Sequence, residues 1–286
     1  MPKLINIPDF MESEVLDKKL NIFKTLILLI KSRILILIYK HTSGSLFCIL
    51  INLFYKKNGK IFYSNNLYYK KINNNKFYYP NKRITRIVAD HLWHFERLRK
   101  TYCLDLVNIK ENDNIVDCGA NVGELGVAIN LNNLNINYYA FEPDLEVFKC
   151  LEKNTITKKI AFNIALSNSE GFQTLYLDSA GGNTSLSKFG NAKEQLTKIT
   201  KLDLLNLKNI KLLKIDAEGF EPEVIEGCLN TLSEIEFISV DYGNERGLNE
   251  DSTIVSVVDM LYKNNFHLIA ESNVRKVGLF KNQKKT

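Results

Sequence analysis

Three short stretches hold residue types that could do chemistry together: Asp117-Cys118-Gly119-Ala120-Asn121-Val122-Gly123-Glu124, then Phe141-Glu142-Pro143, then Lys214-Ile215-Asp216-Ala217-Glu218-Gly219-Phe220-Glu221-Pro222. In the first, the glycines allow a tight turn and close approach of backbone to a ligand, as in nucleotide sites. The dinucleotide pattern G-x-G-x-x-G is absent, because Asn121 and Glu124 stand where its second and third glycines would be. Asp117 and Glu124 would repel a pyrophosphate and favour a ligand carrying positive charge. Glu142 lies about 20 positions beyond the glycine loop, where an acid can accept hydrogen bonds from two ribose hydroxyls. Nicotinamide cofactors and S-adenosylmethionine (SAM) both use that device, and the acidic first loop favours SAM.

In the third stretch, strand alternation puts Lys214, Asp216 and Glu218 on one side of the chain, while Pro222 suits the first turn of a helix. Glu221 and Glu223 are read as surface ion pairs capping that helix. A fifth stretch of strand ends in Asp241-Tyr242-Gly243. Asp216, Glu218 and Asp241 are the candidate catalytic acids, with His94 a remoter candidate. No ligand spacing demands a metal, so Mg²⁺ held by these carboxylates is carried only as an alternative.

The elements that must position these groups follow a regular order from Asn114 onward. Short apolar strands, NIVDC, INYYAFE, KIAFN, IKLLKID and IEFISVDY, alternate with helical stretches beginning near Val122, Asp144, Glu221 and Ser252. That order predicts a doubly wound α/β domain with a mostly parallel sheet, and an antiparallel pair, FHLIA and VRKVGLF, at one edge. Ligands of such sheets sit beyond the carboxyl ends of the strands, where all three stretches fall.

The motif series VDCGANVGE, AFEP, IALSNSEG with Gly-Asn-Thr-Ser after it, and LKIDAEGFEPEVIEG resembles that of the FkbM-type methyltransferases. The resemblance runs over roughly residues 90 to 270. It implies a seven-stranded, Rossmann-like class I sheet, SAM as donor, and a hydroxyl acceptor on a sugar or glycan-lipid intermediate. It also implies that Asp117, Gly119, Asn121, Gly123 and Glu124 line the methionine end of SAM, that Glu142 holds the ribose, and that Ala165 and Leu166 flank the adenine. Asp216 would sit near the sulfonium. Many relatives carry Glu where this chain has Asp241. Two other classes stand beside this reading: a nicotinamide-dependent oxidoreductase, and a non-catalytic scaffold on a methyltransferase fold.

The 286 residues are 45% apolar and 24% charged, which describes a globular chain and excludes disordered and collagen-like ones. Residues 1–86 hold 16 of the 38 Lys+Arg but 4 of the 32 Asp+Glu, leaving that part at +12 and the rest at −6. The expected organisation is therefore a basic extension over 1–83 and a methyltransferase domain over 84–286. Such asymmetry points the extension toward an anionic surface. Within it, apolar runs Leu26–Ile30, Ile34–Tyr39 and Leu46–Phe54 are broken by Lys31, Arg33 and Lys40, too short to span a bilayer but suited to lying in its surface. Peripheral contact with an anionic membrane through residues 18–83 is one expectation, and packing on the catalytic body or a partner is the other. Asn58-Gly59 predicts a two-residue hairpin turn. Aromatics interleaved with Lys beside it are explained by the two faces of a hairpin, so nucleic acid is not an expected partner. Ile84 to Val107 reads as one amphipathic helix. Five scattered cysteines and a start without a basic, apolar leader lead to the expectation of a reducing cytoplasmic setting.

Overall fold

The computed structural model describes residues 8–16, 18–55, 59–72, 75–131, 134–154, 156, 158–177, 184–186 and 193–285. The chain divides into two compact units, residues 1–96 with 153–155, and residues 97–152 with 156–286.

The first unit begins with a short helix α1 (Glu12–Val15), then α2 (Ile22–His41) and α3 (Gly44–Phe54). Asn21 caps α2 by accepting from Lys24 N at 2.8 Å, and the Lys82 ammonium binds carbonyls at its other end, those of Tyr39 and Thr42. A three-stranded meander follows: β1 (Ile61–Ser64), β2 (Leu67–Ile72) and β3 (Asn75–Tyr79). Its first hairpin turns at Asn65-Asn66, both at positive φ (52° and 60°), with Ser64 opposite Leu67. Asn tolerates that conformation, so this pair makes the tight turn. Of the hairpin expected around Asn58-Gly59, Asn58 lies outside the described residues, and Leu53 and Phe54, expected in its first strand, instead end α3. The single helix expected from Ile84 to Val107 is also corrected. A 3₁₀ segment covers Lys82–Ile87, and the α-helix is α4 (His91–Thr101), which carries the chain across the division.

The second unit is built on a seven-stranded sheet of β4 (Asn114–Cys118), β5 (Asn137–Phe141), β6 (Lys159–Phe162), β11 (Ile210–Ile215), β12 (Ile235–Asp241), β15 (Phe266–Glu271) and β16 (Val277–Asn282). Its spatial order is β15-β16-β12-β11-β4-β5-β6. Every pair is parallel except β12 with β16 and β16 with β15. Successive residues go to opposite faces. Ile115, Leu212 and Phe237 pack with Leu125 and Ile129 of α5 (Glu124–Asn130) and Leu151 of α6 (Leu145–Lys153). Val116, Leu213 and Ile238 pack with Val224 of α7 (Glu221–Glu226) and Leu261 of α8 (Ile254–Lys263). The sheet is thus covered on both faces, as its near-continuous apolar strands require.

A second, four-stranded sheet was not legible in the sequence. It comprises β7 (Ala165–Leu166), β8 (Gly171–Leu177), β9 (Thr184–Ser185) and β10 (Lys193–Thr200), in the order β7-β10-β8-β9. The pair β13 (Asn244–Arg246) and β14 (Asp251–Ser252) completes the strands of the described residues. In the main sheet β4 lies between β5 and β11, so the order reverses there, and the crevice beyond the ends of β4 and β11 is where a ligand is expected.

Candidate active site

The glycine loop leaves β4 in a left-handed backbone, with φ of 76° at Gly119, 50° at Asn121 and 87° at Gly123. A Cβ at Gly119 would lie 2.0 Å from the Asp216 carbonyl oxygen, so only glycine fits where β4 and β11 meet. The loop is tied to β5: Gly119 N and Ala120 N donate to Phe141 O, at 3.0 and 2.9 Å. Glu142 then accepts from Asn121 N at 2.8 Å and Asp144 N at 2.9 Å. Burial pushes its carboxyl up to about 7, against the lowering effect of those two N–H groups. The sequence-predicted Gly119, Asn121, Gly123 and Glu142 are therefore brought together, with Glu124 buried at the start of α5.

Asp117 sits beneath the loop. Its carboxylate is fully buried, pairing with the Lys214 ammonium at 3.0 Å and accepting from the Tyr138 hydroxyl. Lys214 also donates to Cys118 O and Gly119 O, at 3.1 and 2.8 Å. Burial works against the Lys214 charge, but Asp117 and Asp216 outweigh it and hold the group protonated. Of the expected group of Lys214, Asp216 and Glu218, the first two do meet, with the Lys214 ammonium 4.0 Å from the Asp216 carboxylate, while Glu218 departs from the pattern. The strand ends at Ile215 and Glu218 takes a left-handed φ of 50°, so alternation does not carry past the strand.

Above the loop, Asp216, Glu218 and Asp241 gather around one cation that sequence reasoning missed. Arg275, in the turn between β15 and β16, contacts Asp241 at 2.8 Å, Glu245 at 3.0 Å and Asp216 at 3.9 Å. Asp216 also accepts from the Tyr102 hydroxyl at 2.5 Å. Oxygens of Asp216, Glu218 and Glu245 all lie within 4.8 Å of one another. A divalent ion could bridge that spacing, but the Arg275 guanidinium already balances part of the charge. Burial, then Asp216 and Glu245, push Glu218 up to about 9. Burial and Asp216 push Asp241 up to about 7, with Arg275 opposing. Arg275 itself is raised: its own burial is outweighed by Asp216 and Asp241.

Glu221, read in the sequence as a surface cap, is buried. It accepts from Ala217 N at 3.1 Å, Gly219 N at 2.9 Å and the Thr253 hydroxyl at 2.9 Å, and so shapes the loop that carries Glu218. Burial raises its carboxyl to about 7. Glu223 does form the expected ion pair, with Arg246. Ala165 and Leu166 are buried in β7, Leu166 joining the core beside Phe141. His94 belongs to the first unit, its ring edge-on to Phe95. Among the missed residues, Tyr102 and Arg275 left no signal beyond helix periodicity and a polar turn, while Glu245 follows the Asp241-Tyr242-Gly243 strand end closely enough to have been suspected.

A parallel sheet closed by an antiparallel pair in this order, with a glycine loop after β4 and an acid after β5, defines a class I methyltransferase fold. The Methyltransferase FkbM domain matches residues 117–268, more than half of the chain. The chain belongs to that family. Among solved structures it is similar to a methyltransferase FkbM from Methylobacillus flagellatus KT, with 13% identity, a TM-score of 0.43, and coverage of 70% of this chain and 52% of that one. It thus spans about half the length of that protein. It is also similar to the magnesium protoporphyrin IX methyltransferase of Synechocystis PCC 6803 with bound SAM, at 9% identity, a TM-score of 0.40, and coverage of 70% and 83%. A third is M. capricolum TrmK in complex with S-adenosyl-homocysteine, at 13% identity, a TM-score of 0.36, and coverage of 65% and 68%. No curated protein matches the sequence. At such distances the family assignment rests on the domain match.

Proposed function

We propose that the chain is a SAM-dependent O-methyltransferase that acts on a hydroxyl of a small molecule, a sugar or a glycan-lipid intermediate. The observation that carries the cofactor reading is Glu142. Two of the roughly four lone-pair sites of its carboxylate accept backbone N–H groups of the glycine loop and of Asp144, leaving the others for a ribose diol. The wider charge set fits as well: the carboxylates of Asp117, Asp216, Glu218, Asp241 and Glu245 outnumber Lys214 and Arg275 around the loop, which suits a sulfonium and an ammonium and disfavours a pyrophosphate. This and the family favour methyl transfer over nicotinamide chemistry. Gly119, Asn121, Gly123 and Glu124 would line the methionine end, and Ala165 and Leu166 the adenine, while Asp117 acts through Lys214 to fix the loop.

When bound, SAM supplies an electrophilic methyl carbon and a neutral thioether leaving group. The chain's own residues then position the acceptor and manage its proton. Asp216, held by the Tyr102 hydroxyl, is assigned to accept the hydroxyl proton as the new oxygen–carbon bond forms. Glu218, whose carboxyl burial and Asp216 push up to about 9, hydrogen-bonds Glu245 beside it and so keeps the carboxyl cluster partly neutral. Asp241 is too buried to touch an acceptor, so it positions Arg275. Fixing donor and acceptor in line supplies on the order of 7–11 kcal/mol of the barrier. The proposed partners are this acceptor and, for the basic extension over 18–83, the face of an anionic membrane in the cytoplasm.

Calorimetric titration with SAM, its demethylated product and NAD tests the reading. Micromolar binding of both sulfur ligands but not NAD is expected, with Glu142→Ala weakening SAM by about 10- to 100-fold. Binding of NAD alone, of nothing, or of SAM equally by Glu142→Ala would overturn it.

A further inference from the structure

Helix α2 buries Ser32 and Leu35 on one side, and Lys31 beside them pairs with Glu14 at 2.8 Å. A surface helix should then turn charge outward. Instead Ile22, Leu26, Ile30 and Leu37 form a line on the solvent side at helical spacing, with Phe23 and Ile27 beside them. Ile22 is 91% exposed and Phe23 71%. Helix α3 repeats the pattern: Phe47, Cys48 and Ile51 are buried while Leu46, Ile49 and Leu53 are exposed. Such a run of outward aliphatic side chains calls for an apolar occupant.

The surrounding charge identifies that occupant. Residues 18–89 contain 15 Lys+Arg and no Asp or Glu. A second copy of the chain would bring the same charge to the same face and be repelled. No helix among the described residues is long and apolar enough to cross a membrane. The ion pair of Lys31 with Glu14 ties α2 to α1. We infer that the outward faces of α2 and α3 lie in the headgroup region of an anionic lipid bilayer, aliphatic side chains inserted and Lys24, Arg33 and Lys40 at the phosphate level. The inference deepens the membrane part of the proposed function and rests on exposure and charge, not on methyl transfer.

Sedimentation of the full chain with vesicles tests it without SAM or acceptor, so its outcome is separable from the calorimetric one. Vesicles containing about 30% phosphatidylglycerol should pull the protein down, pure phosphatidylcholine vesicles much less, and about 0.5 M salt should weaken the binding. Leu26→Gln/Ile30→Gln/Leu37→Gln should lose more than about 100-fold in partitioning, since each inserted aliphatic side chain contributes roughly tenfold or more. Arg33→Gln/Lys40→Gln should lose about fivefold per charge. These side chains are exposed, so both variants should keep the parent's thermal unfolding. Equal binding to both vesicle types, unchanged binding of the aliphatic variant, or a stable dimer that this variant converts to monomer would each overturn the inference.

Discussion

Replacing Arg275 with Gln removes the cation that reaches Asp241, Glu245 and Asp216 together, and its cost should depend on pH. With charges 2.8 Å apart, as for Arg275 and Asp241, Coulomb's law at an effective dielectric of about 40 gives about 3 kcal/mol. The Arg275 side chain is 41% exposed, and solvent screening reduces that to about 1–2 kcal/mol, or roughly one pKa unit on Asp241. Asp241 already sits at about 7, above the unfolded carboxylate range. Its protonated form therefore stabilises the fold below about pH 4, and that contribution is lost as pH rises through about 7. Near pH 5 Asp241 is protonated with or without Arg275, and the variant should lose little. Near pH 8.5 the parent holds an ion pair while the variant must protonate Asp241 or bury it unpaired, and should be about 1–2 kcal/mol less stable. Urea unfolding of both proteins across this range measures the difference. A loss that does not change with pH, or a variant more stable than its parent at alkaline pH, would refute the charge balance described for this cluster.

Two further predictions concern the buried charges. Lys214→Met should cost about 3–5 kcal/mol, because both Lys214 and Asp117 are nearly fully buried and Asp117 would lose its cation. Adding Asp117→Asn should recover more than half of that loss in denaturant unfolding; a single variant costing under about 1 kcal/mol would show that the pair does not hold the loop. Glu218→Gln should abolish a fall in stability that the parent shows between about pH 4.5 and about pH 9, since a carboxyl raised to about 9 has its full protonated-state contribution below the unfolded value and loses it by the folded one, at up to about 1.4 kcal/mol per pH unit. Identical pH profiles for parent and variant would remove Glu218 from the set of raised carboxyls.

The parts of the site legible in the sequence are those fixed by local backbone chemistry. Gly119 and Gly123 take conformations that favour glycine, and Glu142 follows β5 directly, so their roles are readable from spacing after a strand. The parallel strands are equally legible, because burial on both faces writes them as apolar runs. Strands β8 and β10, half exposed and, among the described residues, paired with each other and the short β7 and β9, carry no such run. Charged residues misled most. Lys214 and Glu221 have the types of solvated groups, yet each is buried because partners from distant segments satisfy it: Asp117 and two carbonyls for Lys214, two N–H groups and Thr253 for Glu221.

Arg275 shows why the centre of the site cannot be read along the chain. It reaches Asp216, Asp241 and Glu245 only because β16 runs antiparallel beside β12, which returns the turn before β16 to the end where the parallel strands finish. The antiparallel pair thus does more than close the sheet edge. It delivers a positive charge to a rim where four strand-end or loop carboxyls would otherwise repel one another, and lets the fold keep them there. Lys214, 4.0 Å from Asp216, is already paired with Asp117, so Arg275 against four carboxyls still leaves the rim short of positive charge, with the deficit met in the free protein by raised carboxyls at Glu218 and Asp241. A ligand that brings its own positive charge would meet the same deficit. Binding of such a ligand should therefore release protons from this cluster, which is the electrostatic reason a sulfonium donor suits these residues better than a phosphate-bearing one.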